Sequence, residues 1–124
     1  MVDVIKFTVQ GELPTMNEIV EESKKHYMHY SKMKKTYTTL VKFCAMKLPK
    51  VESADFEITW YCKDKRKDKD NVIAGQKFIF DGLVEAGVLK NDGWKEVGKV
   101  THECLVDKGN PRVEVEILEV ERVV

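Results

Sequence analysis

The segment from Lys63 to Glu96, KDKRKDKDNVIAGQKFIFDGLVEAGVLKNDGWKE, is where the chain turns from strand to helix and back again. It opens with five cations, Lys63, Lys65, Arg66, Lys67 and Lys69, interleaved with Asp64 and Asp68. Val72, Ile73, Gln76, Ile79, Leu83 and Ala86 then recur at helical spacing, which predicts a helix over 72–86. Asp70 or Asn71 is placed to cap its start, and Gly87 fits the left-handed position past its end. Val88 and Leu89 read as a short strand or turn, and Asn91-Asp92-Gly93 is turn chemistry.

Working outward, Ala54 to Cys62 (ADFEITWYC) alternates, with Phe56, Ile58, Trp60 and Cys62 on one face, and reads as a strand running into the cations. After the segment, 97–107 reads as a strand, Lys108-Gly-Asn-Pro111 as a turn, and 112–120 as a return strand. In that last strand Val113, Val115 and Ile117 point inward while Glu114 and Glu116 face water. Before the segment, 3–10 (DVIKFTVQ) alternates as a strand with Ile5, Phe7 and Val9 on its buried side. Thr15-Met-Asn-Glu18 has capping-box spacing ahead of a helix, with Asn17 as the other candidate cap. A helical reading over 18–48 is stopped by Pro49, with a break expected near Tyr30-Ser31. Its apolar stripe is Tyr30, Met33, Tyr37, Leu40, Val41, Cys44 and Leu48, which reads as core. The order is strand, helix, strand, helix, strand, strand. It predicts a single α+β domain over 1–124, a mixed β-sheet with helices packed on one face.

Composition narrows the function classes. With 124 residues, 21 basic and 21 acidic side chains, the chain has no net charge, so a global cationic excess is not the basis for a polyanion partner. The distribution matters more: 24–50 is rich in Lys and holds no acid, and acids dominate 114–121. The basic half suits a phosphate backbone, although a solvated helix face accounts for the same lysines. His26 and His29 have a helical metal-binding spacing but no third ligand nearby, so they read as exposed histidines. Cys44, Cys62 and Cys104 are scattered and odd in number, without a C-x-x-C pair. They read as small apolar residues in a reducing cytosol. No leader pattern and no apolar run of about 18–20 residues is visible. These features predict a cytoplasmic protein with no membrane segment.

Asp68 and Asp70 are two apart, so in an extended segment their side chains point the same way. Adjacent carboxylates repel unless a cation lies between them. Magnesium prefers hard oxygens and takes one or two protein carboxylates, leaving the rest to water and phosphate oxygens. Asp92 is the best third acid, provided the chain folds over to bring it across from the pair. A nearby lysine, for which Lys77 is the candidate, would neutralise charge developing on a phosphate. By pattern alone the signal is weak, because solvated acids beside cations are common.

The residues D68-K-D70-N71, then Q76-K77-F-I-F80-D81-G-L83-V-E-A86-G87, then N91-D92, resemble the RusA family of Holliday-junction resolvases. That family pairs D-x-D-N with a downstream Lys, a helix of F-D-x-L-x-x-x-G type and a further Asp. The resemblance places Asp68, Asp70 and Asp92 at the positions of the metal-holding catalytic acids, Asn71 at the motif Asn and Lys77 at the catalytic Lys. Two departures stand out: the second Asp and the Lys are seven apart here rather than four, and Asn91 replaces the first member of an Asp pair. Three extra residues move a helical position about one turn along but only about 60° around. The resemblance implies a homodimer that nicks four-way DNA junctions in symmetric pairs with Mg2+, often from a prophage, in recombination and repair. On this reading Lys63, Lys65, Arg66, Lys67 and Lys69 guide the DNA backbone. The alternative is a branched-DNA-binding protein of the same fold with weak or no catalysis, and a third reading is a nuclease for flapped or other branched DNA.

Overall fold

The computed structural model describes residues 4–120; Asp3, the first residue of the expected first strand, lies outside the described residues. In chain order the elements are β1 (Val4–Gln10), α1 (Met16–Lys24), α2 (Tyr27–Ala45), β2 (Ala54–Cys62), α3 (Lys69–Ile73), α4 (Gln76–Glu85), β3 (Val97–Val106) and β4 (Arg112–Glu119). The sheet order is β1-β4-β2-β3. β4 is antiparallel to β1 and to β2, whereas β2 and β3 run parallel, joined by the α3–α4 crossover. This is the expected α+β domain with a mixed sheet.

Period-two patterning explains the sheet's two faces. Phe7 and Val9, Phe56, Ile58 and Trp60, and Val113, Val115 and Ile117 are all buried on the side that the helices cover. Burying a large apolar side chain contributes on the order of 1.5–3 kcal/mol, and this row supplies much of the fold's driving force. The opposite face carries Glu57, Glu103, Glu114 and Glu116, with Lys6 Nζ 3.2 Å from Glu116. The molecule therefore separates an acidic open sheet from a helical side bearing most of the lysines.

The helix ends follow local chemistry in part. Thr15 caps α1 in a full capping box with Glu18, so the first of the two candidate caps is used. The break in the first helical stretch falls at Lys25–His26 rather than at Tyr30-Ser31. Lys25 is extended there, and the His26 imidazole accepts a hydrogen bond from Met28 N at 3.4 Å to start α2. No Gly or Pro marks that site, so the break depends on a side chain acting as a cap. Within the expected stripe Val41 is buried, whereas Leu40 is exposed and Thr38 and Ala45 take its place inward. The single helix expected over 72–86 is two: α3 begins at Lys69, three residues early, with Asp68 as its cap residue, and α4 starts after a break at Ala74–Gly75. It ends in a Schellman motif: Val88 N donates to Leu83 O at 3.0 Å and Gly87 N to Val84 O at 3.0 Å, with Gly87 at φ +78°. A side chain at Gly87 would be strained in this left-handed backbone. Val88 and Leu89 are a buried turn, not a strand.

The cysteines are free and half-buried, and desolvation pushes each thiol up from its usual range. Trp60 Nε1 donates to His102 Nδ1 at 3.0 Å beneath the crossover. That bond needs an unprotonated Nδ1, and burial pushes the imidazole down from 6.5. A base with a lowered folded pKa binds more protons when unfolded. Its contribution is therefore full above about 6.5 and lost as pH falls through the lowered value. Thermal melts from neutral to mildly acidic pH are expected to show an acid-side loss of about 1 kcal/mol, the net value of one hydrogen bond. The loss should shrink in His102→Gln; an unchanged acid slope in that variant would remove His102 as its source.

Candidate functional site

The crossover places two sets of charged side chains at opposite ends of the sheet. At the end where β2 finishes, Asp68 and Asp70 are both exposed, Asp68 just before α3 and Asp70 in its first turn. Asn71 does not cap this helix. Its Oδ1 accepts from Asn17 N at 2.9 Å and so satisfies a free N–H in the first turn of α1. A helix start leaves four such donors without intrahelical partners, so this bond is a strong local anchor. The Asn of D-x-D-N thus ties the acid pair to the N-terminal helix, and Asp70 Oδ1 accepts from Asn71 N at 2.9 Å.

The five cations beside the pair divide into two groups. Lys67 Nζ lies 3.9 Å from Glu12 and 3.7 Å from Glu18, and Arg66 pairs with Asp64 at 3.7 Å. Among the described residues, Lys63, Lys65 and Lys69 form no ion pair, and neither do Asp68 and Asp70. Glu12, Glu18 and Asp64 therefore occupy Lys67 and Arg66. Lys77 is exposed in the first turn of α4, just past the Ala74–Gly75 break that separates the two helices.

Asp92 is at the other end. The crossover runs back along β2, as the edge-on ring contact of Phe80 with Phe56 at 5.1 Å shows. Asp92 follows the helix and precedes β3, whose Val97 pairs with Ala54, the first residue of β2. β2 spans roughly 25 Å at a strand's rise per residue. One chain thus keeps the Asp68–Asp70 pair and Asp92 apart. Among the described residues no group of three or more His, Cys, Asp or Glu side chains comes within one ion's reach.

Asp92 instead lines a groove between α2 and α4. Asp81, Glu85 and Asp92 form one wall, and Lys34, Lys35 and Lys42 the other, with Thr38 at the floor. Beside it stands Trp94, fully exposed. Asp81 and Thr38, which line this groove, were not singled out from sequence. The available signal was an acid in the apolar helical run FIFDGLV, whose neighbours Phe78, Ile79, Gly82 and Leu83 are all buried. No helix among the described residues is long and apolar enough to cross a membrane.

The donors at both ends are oxygens, the type that hard divalent cations select. A family model described as Endodeoxyribonuclease RusA matches residues 11–118. No curated protein matches the chain. The match runs from the β1–α1 loop to β4 and contains both ends of the crossover, and the chain therefore belongs to the RusA endodeoxyribonuclease family of resolvase-type nucleases.

Proposed function

We propose that the protein is a magnesium-dependent endonuclease that resolves four-way DNA junctions by paired symmetric nicks. The observation that carries this reading is the unpaired, solvent-facing Asp68–Asp70 pair, anchored through Asn71 inside a family match that covers nearly the whole chain. Asp68, Asp70 and Asp92 are the acids that hold magnesium, and Asp68 and Asp70 face the DNA. A bound magnesium ion supplies polarisation of the phosphodiester and a lowered pKa for its attacking water. Lys77 neutralises charge building on the phosphate. Lys63, Lys65 and Lys69 are free to follow the backbone, while Lys67 and Arg66 already serve Glu12, Glu18 and Asp64. The acidic sheet face directs DNA to the helical side.

The separation of Asp92 from the pair bears on assembly. If all three acids serve one ion, a second copy must supply Asp92, which fits the homodimer reading. Two equivalent cuts also call for two sites related by a two-fold axis.

The test compares four-way, three-way and flap substrates at matched salt, with and without Mg2+. Fastest cutting of the four-way junction into symmetric products is expected, and preference for a flap would overturn the junction assignment. Junction binding without metal-dependent products would favour the second reading, a binding protein of this fold. That reading draws on the seven-residue Asp70-to-Lys77 spacing. Lys77→Ala is expected to lower the cleavage rate about a hundredfold with junction binding nearly unchanged. A fully active Lys77→Ala protein would take the lysine out of the chemistry without touching the acid assignment.

A further inference from the structure

We infer that Trp94 is a base-stacking residue, which receives an unpaired or unstacked nucleobase of the DNA. This role rests on the proposed function in one respect, that DNA reaches Asp92, two residues before it. Trp94 is fully exposed, whereas the next most exposed large apolar side chain described, Tyr27, is 74% exposed. Among the described residues its ring stacks on no other aromatic ring and lies under no cation. An indole is a large, rigid, mostly apolar plate that proteins ordinarily cover. The turn that carries it is held firmly. Val97 N donates to Gly93 O at 3.0 Å, Ser53 Oγ to Lys95 O at 2.7 Å and Ala54 N to Glu96 O at 3.0 Å. Ser53 is itself buried, so the backbone beyond Trp94 is tied to the start of β2. The ring is therefore presented to solvent from a fixed frame, with little backbone freedom left to lose when a flat partner settles on it.

The charges around the ring favour nucleic acid over a second protein surface. Lys90, Lys95 and Lys99 are exposed and form no ion pair among the described residues. The stretch 90–99 holds these three cations and two acids, Asp92 and Glu96. A contact between two copies centred on this turn would set each lysine against its counterpart. A phosphate backbone meets the same lysines with opposite charge, and its bases offer flat π-faces to the ring. Consecutive Cα atoms are about 3.8 Å apart, which keeps the Trp94 Cα within about 7.6 Å of that of Asp92. DNA whose phosphate is held at Asp92 thus has its neighbouring bases beside the indole. In an intact duplex those bases are stacked on one another and closed to it. At a branch point or in a single strand they can be reached without that cost. Trp94 therefore adds selectivity for opened DNA without reading sequence, because every base has a π-face.

Trp60 is buried, so the tryptophan emission open to a dissolved quencher belongs to Trp94. The full-length protein is held in EDTA, which stops metal-dependent cutting. It is titrated with a four-way junction, a thymidine oligonucleotide and a duplex of matched length. Iodide is expected to quench the free protein. Bound junction or single strand is expected to quench the emission itself and to shield it from iodide, and bound duplex to leave most of the iodide quenching in place. Trp94→Ala is expected to weaken junction and single-strand binding about tenfold and to leave duplex binding within about twofold. Its salt dependence is expected to match wild type, since no phosphate contact is lost. Trp94→Phe is expected to keep most of the affinity, because a smaller ring still stacks. Circular dichroism of both variants separates lost binding from lost folding. Wild-type affinity for junction and single strand in folded Trp94→Ala overturns the stacking role, and so does an equal loss on all three DNAs. A free protein whose emission resists iodide, and whose dimer dissociates in Trp94→Ala, also overturns it by placing the ring between two copies. A wild type that cuts four-way junctions while Trp94→Ala binds them unchanged removes the stacking role alone. A wild type that cuts no junction, yet binds single strands through Trp94, keeps the stacking role and removes the proposed nuclease function.

Discussion

Asp70→Asn is expected to abolish measurable junction cleavage, a loss of at least about a hundredfold, while binding four-way junctions as tightly as wild type or more so. The side chain's volume and its hydrogen bond from Asn71 N can both be kept by Asn, so the fold is undisturbed. What goes is one anionic oxygen ligand, and even the loss of a supporting group around a metal typically costs 10–100-fold, so a direct ligand sets a higher floor. Binding responds in the opposite direction. A carboxylate near a phosphate is repulsive, and removing it leaves Lys63, Lys65 and Lys69 to attract the backbone. The measurement is single-turnover cleavage in Mg2+ beside a mobility-shift titration in EDTA. Cutting at the wild-type rate would sink the assignment. Equal loss of binding and cutting would mean that Asp70 acts through structure rather than through a metal.

The largest stability effect is expected at Gly82. A Cβ there would collide with the Val41 side chain and lie 3.1 Å from the Lys42 backbone N, because α2 and α4 cross at this point. Alanine in place of glycine within a helix gains up to about 1 kcal/mol. Overpacking costs about 1–3 kcal/mol, and here it wins because the obstacle is a β-branched side chain and a helix backbone with little freedom to yield. Gly82→Ala is expected to lose about 2 kcal/mol, lowering Tm by roughly 8 °C, and Gly82→Val to lose more. Adding Val41→Ala should recover part of the loss in Gly82→Ala, the signature of two residues sharing one space. A Gly82→Ala melt at or above the wild-type temperature would show that the helices part without cost.

Local patterning carried much of the fold. β2 falls at Ala54–Cys62 as its alternation required, Thr15 and Glu18 form the box their spacing announced, and Gly87 takes the left-handed turn. These features depend on neighbours within a few residues. The break at Lys25–His26 was not legible because it hangs on an imidazole cap, a role with weak sequence statistics. The early start at Lys69 was hidden because Asn71, a good cap by type, is drawn away to Asn17, 54 residues earlier. The same division holds for the candidate residues. Two-residue spacing picked out Asp68 and Asp70, and motif order picked out Lys77 and Asp92. The groove that Asp81 and Thr38 line became visible only once α2 and α4 were packed together. The distance of Asp92 from the acid pair likewise follows from the direction in which the crossover runs, which no local pattern encodes.

The central position of β4 has a consequence for how the protein is made. β4 joins β1 to the rest of the sheet, with β1 on one side and β2 on the other. Until residues 112–119 have left the ribosome, β1 has no neighbour and β2 has only its parallel partner. Pairings between strands so far apart in sequence form late and slowly. The nascent chain therefore already carries its acid pair and its cations, but not the sheet that holds them in place. On the proposed assignment, the acid pair becomes a competent cutting centre only after synthesis has passed it by some forty residues, when β4 ties the sheet together.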